Sequence, residues 1–513
     1  MLELFYKRRV VFVVLLGIVL RFTLLGIIPG NGNLNQDEAF AAYEAFAISN
    51  YGIDSHGYHN PVYLEAWGSG MNALETYCMI PFITVFGMNA TAVRLPQAIL
   101  GSLTLIVLYL LLKRLSDRNV AFWCTLVLAI CPWHIMMSRW ALESNFVVGI
   151  LTLAIYFLVS ADNKVYRIII AGITMGLVLY CYSATWTVIP LLVIGVLTYL
   201  FINKEISIKS IIIYLISLGI IATPLLLFVA VNMEVIPEIT TSYISIPKMA
   251  FFRSGDVNFS IERLLNSLRL LWFQHDGLIW NSTSSYGLFY HFSNGFLVLG
   301  MISSIIKKRK NTIIIWIWFS CGILLSSILD ANVNRINIVF IPVVCFIGIG
   351  IDAYMRFVGI ISTRTKIAAA SIVLVAYIYN LVSFENYYCG EYNTTMAAYW
   401  FDGAKEALAM AEDNKATIHI KYNDVRYPSM LYYTKYPTDV FVSSVKYENT
   451  TAAFLQPLSC EGYEFYDYTE EKPHQGEMYI CRADDVDGVD YINDYNLESE
   501  KYGQYILSYV KNK

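Results

Sequence analysis

Long apolar stretches recur along the chain at residues 10–29, 92–112, 119–136, 144–160, 166–182, 186–202, 210–231, 290–306, 312–329, 335–354 and 366–384. A hydrocarbon core of about 30 Å is crossed by about 20 helical residues, so each stretch is long enough to span. Lipid offers the backbone no water to bond, which makes helices the expected form. The pattern therefore predicts a polytopic α-helical membrane protein with about eleven transmembrane helices. The stretch 71–87 is apolar too, but it is short and interrupted by Glu75 and Pro81. Counting it as a span would reverse every later segment, so it is read as a helix lying in the membrane interface.

Basic residues orient this series. Lys7, Arg8 and Arg9 precede the first stretch, Lys113, Arg114 and Arg118 follow the second, and Lys307–Lys310 follow the eighth. Arg356, Arg364 and Lys366 lie between the last two. All fall on one side, which is then cytoplasmic and holds the N-terminus. The opposite side receives the large segments 30–91 and 232–289 and everything after 385.

Composition sharpens the picture. Of 513 residues, 57% are hydrophobic and 15% charged, against about 25% charged in a soluble domain. That excludes a soluble globular enzyme, a disordered protein and a nucleic-acid-binding protein. Residues 386–513 carry 21 acidic and 11 basic residues. A basic, apolar body (1–385) thus precedes an acidic extracytoplasmic domain (386–513). In that tail 400–413 has helical spacing, while ATIHIKY from Ala416 and VFVSSVKY from Val440 alternate like strands. A small outer α/β domain is expected. Cys460 and Cys481 lie there, where a disulfide is possible but spacing does not establish it. No CxxC pair has zinc spacing, and His56 and His59 are weak metal evidence.

The candidate chemistry lies in the outer segments. In PGNGNLNQDEAFAAYEAF the helical spacing of Ala39, Ala42, Tyr43 and Phe46 puts Asp37 and Glu38 in a first turn, with Asn35 as candidate cap. The helix dipole favours an ionised carboxylate there, which suits a base; acidic residues are also ordinary helix-start chemistry. Arg21 sits inside the first span, and intramembrane arginines are functional candidates. Arg94, Arg139 and Arg335 stand at outer mouths of spans, with Glu143 beside Arg139. Arginine forks bind phosphate bidentately, which suggests an anionic lipid headgroup. In FQHDGLIWNSTSSYG, Asp276 and Asn281 could bond sugar hydroxyls, and Trp280 and Tyr286 could stack on a sugar or isoprenoid.

The outer Asp37-Glu38 pair after a first span, YLEAWGSGMNALETYCMIPFITVFG and AVRLP together resemble the membrane glycosyltransferases of the protein mannosyltransferase class. These GT-C fold enzymes belong to glycosyltransferase family 39 and its bacterial relatives, which include aminoarabinose transferases. SRWALESN, DGLIWNSTSSYG and NVNRINIVFIP resemble further segments of the bacterial branch. The likeness runs over about 10–355.

The resemblance implies a sugar taken from a polyprenyl-phosphate donor at the outer leaflet and transferred, with inversion, to a protein, glycan or lipid acceptor. It places the catalytic carboxylate on Asp37 with Glu38 beside it. It puts Arg94, and less directly Arg335, on the carrier phosphate. The mannosyltransferase branch does not generally require a metal, so no cofactor is expected, a divalent ion being left open. A transporter or lipid flippase is the competing class, but such proteins show repeat symmetry and midplane charges. Here the polar motifs concentrate outside. A receptor whose tail binds a partner fits an ordered set of membrane-edge motifs less well.

Overall fold

A computed structural model describes the chain except for residues 1, 67, 253–257, 307–311, 414–415, 422–423, 467–471 and 512–513. The Lys307–Lys310 cluster used for orientation lies outside the described residues. The chain divides into two compact units: Met1–Thr23, Pro96–Leu225 and Gly255–Tyr387 form one, and Leu24–Leu95, Leu226–Ser254 and Tyr388–Lys513 the other. The division expected from sequence, 1–385 against 386–513, is cut differently. The second unit takes in two stretches of the expected body as well as the tail.

In the first unit the apolar runs become helices: α1 (Leu2–Phe22), then, beyond the outer helices α2 (Gln36–Tyr51) and α3 (Leu74–Phe86), α4 (Ala90–Leu115), α5 (Arg118–Ile130), α6 (Pro132–Met137) and α7 (Glu143–Val159). Further helices include Val165–Val178, Ile189–Ile202, Ile208–Asn232, Ser293–Ile306, Ile313–Ile328, Phe340–Ile361 and Thr363–Tyr387. Among the described residues, four are long and apolar enough to cross a membrane by length and composition: Ala90–Leu115, Ile208–Asn232, Asn337–Ile361 and Thr363–Tyr399. The apolar helices Leu74–Phe86, Arg118–Ile130, Glu143–Val159, Val165–Val178, Ile189–Ile202, Ser293–Ile306 and Ile313–Ile328 are shorter. The helix starting at Phe340 is enclosed, with 89% of its apolar window buried, whereas Ile208–Asn232 buries 28%. Its neighbours reach it through glycines: a Cβ on Gly300 would lie 1.8 Å from the Phe346 carbonyl oxygen. Small residues of this kind let helix backbones approach in membranes.

The run 119–136 breaks because Pro132 has no N–H. Two carbonyls lose their helical donors at the break: that of Leu128, whose partner would be Pro132, and that of Ala129. The Trp133 N–H goes instead to the Leu288 carbonyl. Arg21 replaces both donors, giving Nη2 to Leu128 O at 3.0 Å and Nη1 to Ala129 O at 3.0 Å. Its Nη2 also meets His134 Nδ1 at 2.5 Å. The intramembrane arginine is fully buried and closes a helix break.

The second unit is built around a seven-stranded mixed sheet drawn wholly from the tail. Its spatial order is Glu498–Tyr502, Tyr505–Tyr509, Glu477–Arg482, Thr417–Lys421, Tyr463–Tyr466, Pro457–Cys460, Lys446–Tyr447. Thr417–Lys421 pairs in parallel with both its neighbours, and the remaining pairs are antiparallel. Around Val440 the expected strand is instead a helix, Thr438–Ser444, followed by the short strand Lys446–Tyr447. Pro437 stands at its N-cap, and Phe441 is fully buried from it. Cys460 and Cys481 are both buried, and no disulfide joins them.

Candidate active site

The helix α2 begins where the sequence places it. Asn35 is extended (φ −61°, ψ 153°), and its side chain accepts from the Asp37 N–H at 2.9 Å. The Glu38 side chain returns to the Asn35 N–H at 3.1 Å, completing a capping box. These reciprocal bonds satisfy donors that a helix start leaves over. They also separate the two acids: Glu38 is fully buried, and Asp37 is half-buried.

Glu38 faces Arg94. Arg94 Nε meets Glu38 Oε1 at 3.0 Å and Nη2 meets Oε2 at 3.1 Å, with both side chains wholly buried. The remaining guanidinium hydrogens go to backbone: Nη1 to the carbonyls of Leu25 (3.3 Å) and Pro29 (3.1 Å), Nη2 to that of Asn33 (2.9 Å). A guanidinium has five N–H donors, and all five are committed. Glu38, with both oxygens engaged, is the counterion of this arginine. Together they tie α4 to the turn that leads into α2.

Asp276 and Asn281 meet each other rather than facing open space. Asp276 Oδ2 accepts from Asn281 Nδ2 (2.6 Å) and the Val333 N–H (2.9 Å), and Oδ1 from the Leu278 N–H (3.0 Å) and Ser282 Oγ (3.3 Å). Asn281 Oδ1 accepts from Asn334 Nδ2 at 2.6 Å. The pair clips the 276–282 loop to 332–334. Tyr286 gives its hydroxyl to Ser383 O at 3.0 Å and packs on Phe384. Arg139, buried, donates to the carbonyls of Leu20 (2.8 Å) and Thr23 (2.7 Å) at the end of α1. A helix C-terminus is a favourable place for a cation. Glu143 opens α7 and is half-buried. Arg335 is 48% exposed, with Asp330 at 3.7 Å, and is the expected arginine left facing solvent.

One cluster escaped the sequence reading. Glu44 of α2 accepts from the Ser55 N–H (2.9 Å) and from the Ser55 hydroxyl. Asp54 Oδ1 accepts from the N–H groups of His56 and Tyr58, both at 2.9 Å. Burial pushes both carboxyls well above their usual range; for Glu44 the neighbouring Asp54 adds to it. Burial, then Asp54, lifts Glu65 to about 7. Burial takes the His56 imidazole down to about 4. Among the described residues no group of three His, Cys, Asp or Glu is arranged to hold a metal.

A set of apolar helices together with a C-terminal mixed sheet is the architecture of the GT-C glycosyltransferase fold. The profile of the dolichyl-phosphate-mannose-protein mannosyltransferase family matches residues 75–230. ArnT from Cupriavidus metallidurans in the apo state is similar at a TM-score of 0.60 and 13% identity, over 97% of either chain. The same protein bound to undecaprenyl phosphate gives 0.58 and 11%, again over 97% of each. The apo oligosaccharyltransferase of Archaeoglobus fulgidus gives 0.51 and 13% over 84% of this chain and 63% of its own. No curated protein sequence matches significantly. The likeness to these structures is one of fold, and the resemblance read from the motifs holds.

Proposed function

We propose that the protein is an integral-membrane glycosyltransferase that moves a sugar from a polyprenyl-phosphate donor to a protein, glycan or lipid acceptor at the outer face of the membrane, with inversion. The observation that carries this reading is the placement of Asp37. It is the half-buried member of the acid pair, at a helix N-terminus, while its neighbour is consumed by Arg94. The ArnT structure of the same fold holds undecaprenyl phosphate, which supports a lipid-phosphate donor.

In the proposed reaction the acceptor hydroxyl attacks the anomeric carbon from the face opposite the phosphate. Asp37 takes the hydroxyl proton. The bond between the anomeric carbon and the phosphate oxygen breaks, and polyprenyl phosphate leaves. Cations stabilise the charge developing on the leaving oxygen. Arg335, exposed and weakly held by Asp330, is the candidate for that role in place of Arg94.

The test uses purified protein in a lipid bilayer with a panel of polyprenyl-phosphate sugars and envelope extracts, measuring released polyprenyl phosphate. Asp37→Asn is expected to lower release about 100-fold or more, within the range general-base catalysis supplies. Release unchanged by Asp37→Asn would remove Asp37 as the base.

A further inference from the structure

The tail of the chain grips the turn that leads to Asp37. Residues 30–34 carry no regular structure beyond one tight turn, and Gly30, Asn31 and Gly32 all hold positive φ (85°, 54° and 88°). Such a segment has much conformational freedom to lose. Its inner side is fixed by Arg94 through the Pro29 and Asn33 carbonyls. Its other groups are fixed from far along the sequence. The Asn31 N–H donates to Asn393 Oδ1 at 3.1 Å, and Asn393 Nδ2 donates back to Asn31 Oδ1 at 2.6 Å. Asn33 Nδ2 donates to Asp402 Oδ1 at 3.0 Å. The Leu34 N–H reaches the Tyr433 hydroxyl at 3.3 Å. The Trp400 ring lies 5.5 Å from the Arg94 guanidinium carbon and so close to Gly30 that a Cβ there would stand 2.6 Å from a ring carbon.

We infer that Asn393, Trp400, Asp402 and Tyr433 form a brace that sets the position of Asp37 and act as positioning residues for the transfer. This deepens the reading of Asp37 as the base and rests on it. The restraint passes from the brace to residues 30–34, then to Asn35, whose side chain holds the Asp37 N–H. A base displaced by about 1 Å loses on the order of 100-fold in rate, so the effect belongs in kcat. None of the four side chains needs to touch substrate.

The experiment compares the full-length wild type with Asp402→Ala, Asp402→Asn and Asn393→Ala in bilayer discs. It reads amide hydrogen exchange of residues 30–38, and the kcat and KM for whichever polyprenyl-phosphate sugar the wild type uses. Asn at 402 keeps an oxygen that accepts from Asn33, so it is the rescue variant. Asp402→Ala and Asn393→Ala are expected to speed exchange of 30–38 at least tenfold and to lower kcat about 10- to 100-fold with KM within twofold. Asp402→Asn should restore both. Unchanged exchange in both alanine variants overturns the brace, and faster exchange with unchanged kcat overturns its positioning role. If Asp402→Ala fails to fold, Asn393→Ala decides. Should the wild type turn over no donor while exchange responds as expected, the brace stands and the proposed reaction falls.

Discussion

At the scale of single residues, the second unit is governed by how its carboxylates are partnered. Arg94→Ala would leave Glu38 as a buried, uncompensated charge, which costs about 3–5 kcal/mol. We expect the second unit of that variant to unfold first, seen as early protease cleavage between Leu24 and Leu95, whereas Glu38→Gln should be milder because the amide keeps an acceptor for the arginine. The Glu44, Asp54 and Glu65 group makes the opposite prediction for pH. Their carboxyls are raised in the folded state, so the folded form binds protons the unfolded chain has released. Stability contributed by these sites is complete below the unfolded carboxyl range near 4 and is lost as pH rises through about 7. Melting of the second unit is therefore expected at a lower temperature at pH 8 than at pH 5, and Glu65→Gln should flatten the slope. An unchanged slope would show that these groups titrate elsewhere. The sequence was informative about Asp37 because a helix start is written in adjacent residues: Asn35 caps, and Ala39, Ala42 and Phe46 set the spacing. It was silent about Arg94, whose five partners come from four places between Leu25 and Glu38. The contacts of Asp276 and Asn281 were illegible for a related reason, as a polar pair in a loop looks the same whether it meets a sugar or another loop.

At the scale of elements, the break between α5 and α6 and the arginine in α1 form one device. Pro132 leaves the Leu128 carbonyl without a donor and Arg21 supplies it, more than 100 residues away in sequence. Removing the guanidinium would strand two buried carbonyls, at about 1–3 kcal/mol each. Arg21→Met is expected to lower the melting temperature in detergent by several degrees, and Arg21→Lys by less, since one ammonium can still reach a carbonyl. A full-stability Arg21→Met would mean that the break satisfies itself. Elements were the most legible level: the apolar runs are largely helical, the backbone form that lipid favours, though 119–136 is broken at Pro132. The tail was less so. Thr417–Lys421 forms the strand its alternation suggests, but Val440 and its neighbours alternate just as well and fold as a helix, because Pro437 starts one and Phe441 finds a buried place from it.

At the scale of the whole molecule, the second unit is assembled from three separate stretches of chain. Tyr427, from the tail helix Tyr427–Thr434, meets Phe40 of α2 edge-on at 6.2 Å, and the Tyr43 hydroxyl donates to the Tyr436 carbonyl at 2.8 Å. A fragment of residues 388–513 made alone would expose that face. We expect it to lack a cooperative thermal transition, which calorimetry would show; a sharp transition would mark the tail as an independent domain. Composition gave the tail the look of such a domain, since net charge and strand content are local, while the residues that complete its core are not. The same segmentation has a temporal consequence. The turn bearing Asp37 leaves the ribosome early, but Asn393 and Asp402 follow some 360 residues later. At roughly 5–20 residues per second, the nascent protein waits on the order of 20–70 s before its brace exists. During synthesis a half-made copy therefore holds its carboxylate loose, and competence arrives only with the last quarter of the chain.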